Sequence, residues 1–225
     1  FFGADKGEED VDFRGNVTKV VQQFGRSMSR EKALSPELLV AYNMNGEPLT
    51  KHQGFPLRLI VPGWYGVANV KWLSEIYLQE DAYLGKYQAR WYRTLRGEMI
   101  NGEMKWVESA VTHMNLKSFI ARVSKQGNDY NVMGVVLNDG TPIKGVEVQV
   151  DGGAWQPAKM DPATNGKYSW KFFNYTWTGA TAGEHTLVSR VTDANGKVQP
   201  TEKELENKKT FLEDNSQHPR KVMIS

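Results

Sequence analysis

No cysteine occurs among the 225 residues. Its absence excludes disulfides, thiolate metal sites and cysteine nucleophiles within them, and leaves the redox compartment open. No apolar run approaches the roughly 20 residues that a membrane-crossing helix needs. The opening FFGADKGEED is acidic where an export signal is basic and then apolar. A soluble chain without a membrane span is therefore expected. Neither sign of charge dominates: 28 basic residues against 26 acidic ones leave a net +2, too little to draw nucleic acid or a membrane surface. Any anion site has to be built locally. Phosphate-loop, dinucleotide-fingerprint, nucleophile-elbow and zinc-protease motifs are all missing. The four histidines, His52, His113, His185 and His218, lack helical ligand spacing, which predicts no metal held by side chains of this chain alone.

What is present is an ordinary globular composition, 40% hydrophobic and 24% charged, at a length that suits one large or two modest domains. Lys6 to Gly15 alternates charge and glycine and is expected as loop. Asn16 to Phe24 mixes strand and helix signals. Ser29-Arg30-Glu31-Lys32 predicts a short helical turn that ends before Pro36. Leu38 to Met44 is apolar enough for a buried strand, and Asn45-Gly46 predicts a tight hairpin turn because both residues tolerate positive φ. From Lys71 to Leu78 apolar and polar residues alternate as in a half-buried strand. Gln79 to Arg96 is rich in Tyr, Trp and Arg, suited to a polar cleft wall. The polar GEMINGE near residues 97 to 103 predicts a linker. Short β-runs at regular intervals follow, as in an immunoglobulin-like sandwich. Trp155, Trp170 and Trp177 are expected mainly in its core or an interface. The tail has helical composition to about residue 212 and a final strand over Lys221 to Ile224.

The organising stretch is Gly54 to Leu73, GFPLRLIVPGWYGVANVKWL. A Gly-Phe-Pro corner leads into the apolar run Leu57 to Val61, which breaks at Pro62-Gly63 and again at Gly66. A strand that stops at Pro-Gly and then delivers bare backbone amides beside one arginine and one lysine suits an anion-holding loop, with Arg58 and Lys71 as its charged ends. On residue types alone, Arg58 reads first as a core-edge arginine paired to a carboxylate, and Lys71 as the exposed lysine of an alternating strand.

GFPLR, VPG, a second glycine and VKWL together resemble the molybdopterin cofactor loop of sulfite oxidase-like molybdopterin-dependent oxidoreductases, and the preceding AYNMNGEPL extends the match. The resemblance covers nearly the whole chain. It implies the C-terminal portion of such an enzyme, with the molybdenum-ligating cysteine upstream. The implied fold is a mixed α+β partial molybdopterin-binding domain over residues 1–103, followed by an all-β immunoglobulin-like dimerisation domain over 104–225.

The resemblance also implies roles. Arg58, Asn69, Val70 and Lys71 contact the pterin. Asp5 in FFGAD aligns with an acidic cofactor contact, and His52 stands one place before the position where some members carry histidine, here Gln53. Tyr92 in RWYRT falls at the spacing of the active-site tyrosine beside the metal, and Arg90 would steer the substrate anion. The family's second-domain arginine is missing; KKTFLEDNSQHPRK stands there, with Lys208 or Lys209 to supply charge. The implied reaction is oxidation of sulfite, or a similar small oxyanion, to sulfate by oxygen-atom transfer at a molybdenum–molybdopterin cofactor. Two electrons pass to a cytochrome or haem acceptor, in a homodimer that is periplasmic if bacterial. Two alternatives stand beside it: a sulfoxide or nitrate reductase on the same fold, and a non-catalytic dimerisation or binding module.

Overall fold

Residue pairs that accept positive φ set the turns of the first unit, Phe1–Thr112, in the computed structural model. The structure describes residues 1–210 and 212–225. Arg14-Gly15, Asn45-Gly46 and Asn101-Gly102 all stand in the left-handed region, which matches the twist of a two-residue hairpin. The strands of this unit are β1 (Phe2–Gly3), β2 (Gly7–Phe13), β3 (Asn16–Gln22), β4 (Leu39–Ala41), β5 (Asn43–Met44), β6 (Glu47–Pro48), β7 (Arg58–Ile60), β8 (Leu73–Glu75), β9 (Arg93–Ile100) and β10 (Glu103–Ala110). They pair antiparallel as β1 with β8, β2 with β3, β4 with β7, β5 with β6, and β9 with β10.

The apolar residues of the organising stretch form the core of this unit. Leu59, Val61, Trp64, Ala68, Val70 and Leu73 are buried together, with Phe1, Phe24, Met28 and Leu38 packed against them. The expected helical turn is α1 (Arg30–Ala33), capped by Ser29, whose Oγ accepts from the Lys32 N–H at 3.2 Å.

Several expectations are corrected here. Lys6 to Gly15 is mostly strand, because the Arg14-Gly15 turn lets Gly7–Phe13 pair along the β-branched Val17, Val20 and Val21 of β3. Leu38 to Met44 is split at Tyr42 and, beyond Leu38, largely exposed, with Leu39 53% and Met44 46% accessible, because β4 pairs only with β7. The strand after Lys71 stops at Glu75, and Leu78 is 88% exposed. GEMINGE is the tip of the β9–β10 hairpin and not a linker. Since these two strands are in register from Arg93 opposite Ala110 to Ile100 opposite Glu103, a boundary at 103/104 would cut a hairpin. The chain divides instead between Thr112 and His113.

The second unit, His113–Ser225, holds β11 (Lys117–Gln126), β12 (Asp129–Leu137), β13 (Ile143–Val150), β14 (Gln156–Met160), β15 (Lys171–Trp177), β16 (Gly183–Asp193), the two-residue β17 (Lys208–Lys209) and β18 (Arg220–Ile224). The main order is β11-β12-β15-β14-β13-β16-β18. β14 joins its two halves: Gln156 to Ala158 pair with β13, while Lys159 and Met160 pair with β15. The halves share one core, with Ile120, Val132, Val136 and Phe173 from one side and Val146, Val148, Leu187 and Val191 from the other. Of the three tryptophans, Trp177 is in that core, Trp170 is 61% exposed and Trp155 lies under the Arg190 guanidinium at 4.2 Å. Among the described residues, the stretch of helical composition in the tail carries a short 3-10 turn, Lys203–Leu205, and the two-residue β17, and β18 takes in the expected final strand. No helix among the described residues is long and apolar enough to cross a membrane.

Candidate functional site

Gly54 is the hinge on which the charged loop closes. Thr50 caps the turn Lys51–Gln53 reciprocally: its Oγ1 accepts from the Gln53 N–H and its own N–H donates to Gln53 Oε1 at 2.8 Å. The chain then leaves through Gly54 at φ 104°. A side chain there would stand 2.8 Å from Lys71 Cβ and 3.0 Å from its Cα, so only glycine lets the turn lie against Lys71.

Backbone hydrogen bonds then zip the two ends of the stretch together. Leu59 N–H donates to Val70 O, Leu73 N–H to Leu57 O (both 2.8 Å), and Trp72 N–H to Gly54 O at 3.2 Å. The Trp72 indole N–H donates to Lys51 O at 3.0 Å. Asn69 Oδ1 accepts from the Val61 N–H at 2.8 Å, which holds the Pro-Gly break in shape. Val70 is fully buried, with its N–H on Ala68 O and its carbonyl on Leu59, and it anchors Asn69 and Lys71 from the core.

His52, Arg58, Asn69, Val70 and Lys71 are thereby brought into one cluster. Asp5 joins its edge: Ala4 N–H donates to Trp72 O at 2.8 Å, Gly3 faces Leu73 across β1–β8, and Asp5 Oδ1 accepts from the Phe24 N–H at 3.2 Å. His52 and Lys71 are exposed. The Lys71 ammonium lies 5.9 Å from the Trp72 ring and meets no carboxylate among the described residues. Arg58 Nε is buried without a hydrogen-bond partner, and burial lowers the guanidinium pKa from its ordinary value.

Arg90 sits on another element of the same unit, the π-helical turn Tyr87–Trp91, and Tyr92 caps its C-terminal end. Tyr92 N–H closes that turn on Tyr87 O at 2.8 Å, and the Tyr92 carbonyl accepts from Val111 N–H at 2.9 Å, extending the β9–β10 ladder by one pair. Its ring stacks on Tyr87 at 5.9 Å, and Tyr87 in turn packs on Phe24 at 5.1 Å, next to Asp5. Arg90 is exposed. A cavity of about 190 Å³ lies between this aromatic column and the β2–β3 hairpin, lined by Asp5, Glu8, Glu9, Gln23, Phe24 and Tyr87. Its three carboxylates make it a poor host for an anion, so it is distinct from the Arg58–Lys71 cluster in chemistry. Among the described residues no cluster of His, Asp and Glu is placed to hold a metal ion.

Sequence reasoning missed Arg26. It is 1% exposed; its Nη2 donates to Val111 O at 2.7 Å, while Nε and Nη1 are buried without partners. Nothing around FGRSMS announces this, because the group that receives the guanidinium is 85 positions away. Lys208, weighed as a substitute for the missing arginine, is engaged within the second unit: its ammonium donates to Glu213 O at 2.7 Å and Asn215 Oδ1 at 3.1 Å.

Residues 2–87 match the model of the oxidoreductase molybdopterin binding domain. Nitrate reductase [NADH] 2 of Phaseolus vulgaris is 32% identical over 177 residues, covering 68% of this chain and 20% of that protein. Mitochondrial sulfite oxidase of Homo sapiens is 30% identical over 192 residues, covering 79% of this chain and 35% of that protein. Among solved structures, the sulfane dehydrogenase SoxCD from Paracoccus pantotrophus superposes with a TM-score of 0.73 at 27% identity, over 89% of this chain and 52% of that one. The chain thus spans between a fifth and about a third of the length of these curated relatives.

Proposed function

Since this chain belongs, through residues 2–87, to the oxidoreductase molybdopterin binding domain family, we propose that its first unit holds the pterin of a molybdenum cofactor in an enzyme that oxidises sulfite or a similar sulfur oxyanion. The observation that carries the reading is Arg58: a buried Nε with no partner, in one cluster with the unpaired Lys71. An orphaned guanidinium donor beside a second cation fits a phosphate, since burial without a counter-charge is costly and a phosphate oxygen relieves it. The pterin's phosphate is such a group.

Each residue then has a role. Arg58 presents planar donors to the phosphate and Lys71 adds a point charge. Asn69 and Val70 hold the backbone between them in shape. Asp5 and His52 offer an acceptor and a ring nitrogen to polar edges of the pterin. Tyr92, stiffened by Tyr87, donates its phenol hydrogen toward the substrate oxyanion, and the exposed Arg90 draws that anion in. When bound, the cofactor supplies the two-electron redox chemistry of oxygen-atom transfer. The 225 residues contain no thiolate and so contribute only the pterin side of the site. The electrons pass to a cytochrome-type acceptor. The second unit serves as an immunoglobulin-like dimerisation domain; its shared core between two half-sheets suits the sandwich part of that reading.

The test is the molybdenum content of the protein made in a host that synthesises the cofactor, against the same protein with Arg58→Ala and Lys71→Ala together. Near-stoichiometric metal that falls about tenfold or more in the double variant is expected, as for loss of charge-assisted phosphate contacts. Absence of metal from the unaltered protein would sink the reading. With metal present, sulfite-dependent reduction of cytochrome c supports the substrate assignment, while turnover of nitrate in its place would redirect it.

A further inference from the structure

Four buried polar atoms without hydrogen-bond partners belong to Arg26, Arg93 and Thr94, and three of them, Arg26 Nε, Arg26 Nη1 and Thr94 Oγ1, lie on groups that the cofactor reading leaves unused. The fourth, Arg93 Nε, faces Glu108 at 3.3 Å as an ion pair. Arg26 is held rigidly. Its N–H donates to Phe1 O at 3.0 Å, its carbonyl accepts from the Phe1 ammonium at 3.2 Å, and its Nη2 is fixed on Val111 O. Val111 is also the residue whose N–H holds the Tyr92 main-chain carbonyl, so one residue anchors both the Arg26 guanidinium and the Tyr92 backbone. Thr94 is fully buried on β9, two residues beyond Tyr92 in the chain.

No carboxylate pairs with Arg26 among the described residues. Burial lowers its pKa first; the Tyr92 phenol opposes that and the Arg93 charge adds to it. A guanidinium cannot escape by deprotonation near neutral pH. It stands as a buried cation with two nitrogens unserved, a costly arrangement unless an anion completes it.

We propose that Arg26, with Tyr92 and Thr94, binds a small inorganic oxyanion of the sulfite and sulfate class, and that Arg26 is a substrate-binding residue supplied from the first unit. This assignment rests on the sulfur-oxyanion reading for its ligand class, but it is built on residues outside the Arg58–Lys71 cluster. Tyr92 and Thr94 supply hydroxyl donors to the same anion.

The probe is sulfate. Thermal stability of the purified protein is followed against sodium sulfate, with sodium chloride at equal ionic strength as reference, for the unaltered protein, Arg26→Met and Arg26→Lys. A saturable sulfate-specific rise in Tm is expected for the unaltered protein, as ligand linkage requires. Arg26→Met, which replaces a buried charge by an apolar chain of similar length, keeps the fold and loses the rise, with apparent sulfate affinity down about tenfold or more. Arg26→Lys restores part of it. No sulfate-specific rise in the unaltered protein, or a rise that survives Arg26→Met, overturns the proposal. Molybdenum is measured on the same samples. Metal that falls in Arg26→Met in step with the sulfate response makes the pterin phosphate the occupant, which also overturns it. A sulfate response lost in Arg26→Met while no form of the protein contains molybdenum leaves the anion site standing and removes the cofactor reading.

Discussion

Four arginines of this chain share one side chain and meet different fates. Arg93 faces Glu108 at 3.3 Å and Arg190 faces Glu147 at 2.8 Å, both partly exposed pairs of modest worth. Arg58 and Arg26 instead bury nitrogens without any acceptor, and unsatisfied buried donors are where a ligand is most useful. His185 is the contrasting case of a group served on both sides. Its Nδ1 lies 2.6 Å from Asp151 Oδ2 and its Nε2 2.8 Å from Thr181 O, so both nitrogens face acceptors and the imidazolium is favoured. The Asp151 hydrogen bond first, and the Thr181 carbonyl second, raise the His185 pKa above its ordinary 6.5; the same imidazole and the Thr186 N–H hold Asp151 below its ordinary 3.8. A raised histidine stabilises the fold fully below its ordinary value and loses that contribution as pH rises through the raised one. A lowered aspartate stabilises above its ordinary value and loses it as pH falls through the lowered one. The pair therefore contributes most between pH 3.8 and 6.5. His185→Gln should lower Tm most in that window, and the gap to the unaltered protein should close as pH rises; a gap that stays constant into alkaline buffer would refute the assignment. The sequence offered His185 only as an isolated histidine, because its partners arrive from two other turns.

At the scale of elements, two glycines in tight turns separate local strain from tertiary contact. Gly46 stands at φ 84° with open space around its Cα, whereas Gly54 stands at φ 104° against the Lys71 side chain. Gly46→Ala should cost about 1 kcal/mol, the ordinary penalty of a left-handed alanine, and leave molybdenum content unchanged. Gly54→Ala carries the same penalty and also pushes Lys71 away from Arg58, so metal content should fall even where the protein stays folded. Equal metal content in the two variants would show that the Gly54 contact does not position the loop. The Asn45-Gly46 hairpin and the Ser29 cap were legible in sequence, since each depends on two to four adjacent residues. β2 and the hairpin tip at Asn101-Gly102 were not, because charged and polar residues form strands here by pairing rather than by propensity.

For the molecule as a whole, the second unit shows how much depends on one slot. Phe173 is fully buried, and a side chain at Gly134 would stand 2.1 Å from its ring, so β12 carries a glycine where β15 inserts a phenyl group. Phe173→Ala should empty that slot and cost about 3–5 kcal/mol, read as a lower urea midpoint at unchanged slope. A loss under about 1 kcal/mol would mean that the two half-sheets do not depend on this residue. Sequence by itself determined the turns that shape the stretch from Gly54 to Leu73, the family that its motifs resemble, and the β-rich character of the second half. These follow from backbone preferences and from residue types at fixed short spacings. Only the tertiary structure decided that the chain divides after Thr112, that β4 is exposed, and that Arg26 is buried beside Tyr92 with its charge unanswered. Each of those depends on partners brought from far along the chain, and burial, unlike turn propensity, is a property of what surrounds a residue rather than of the residues next to it.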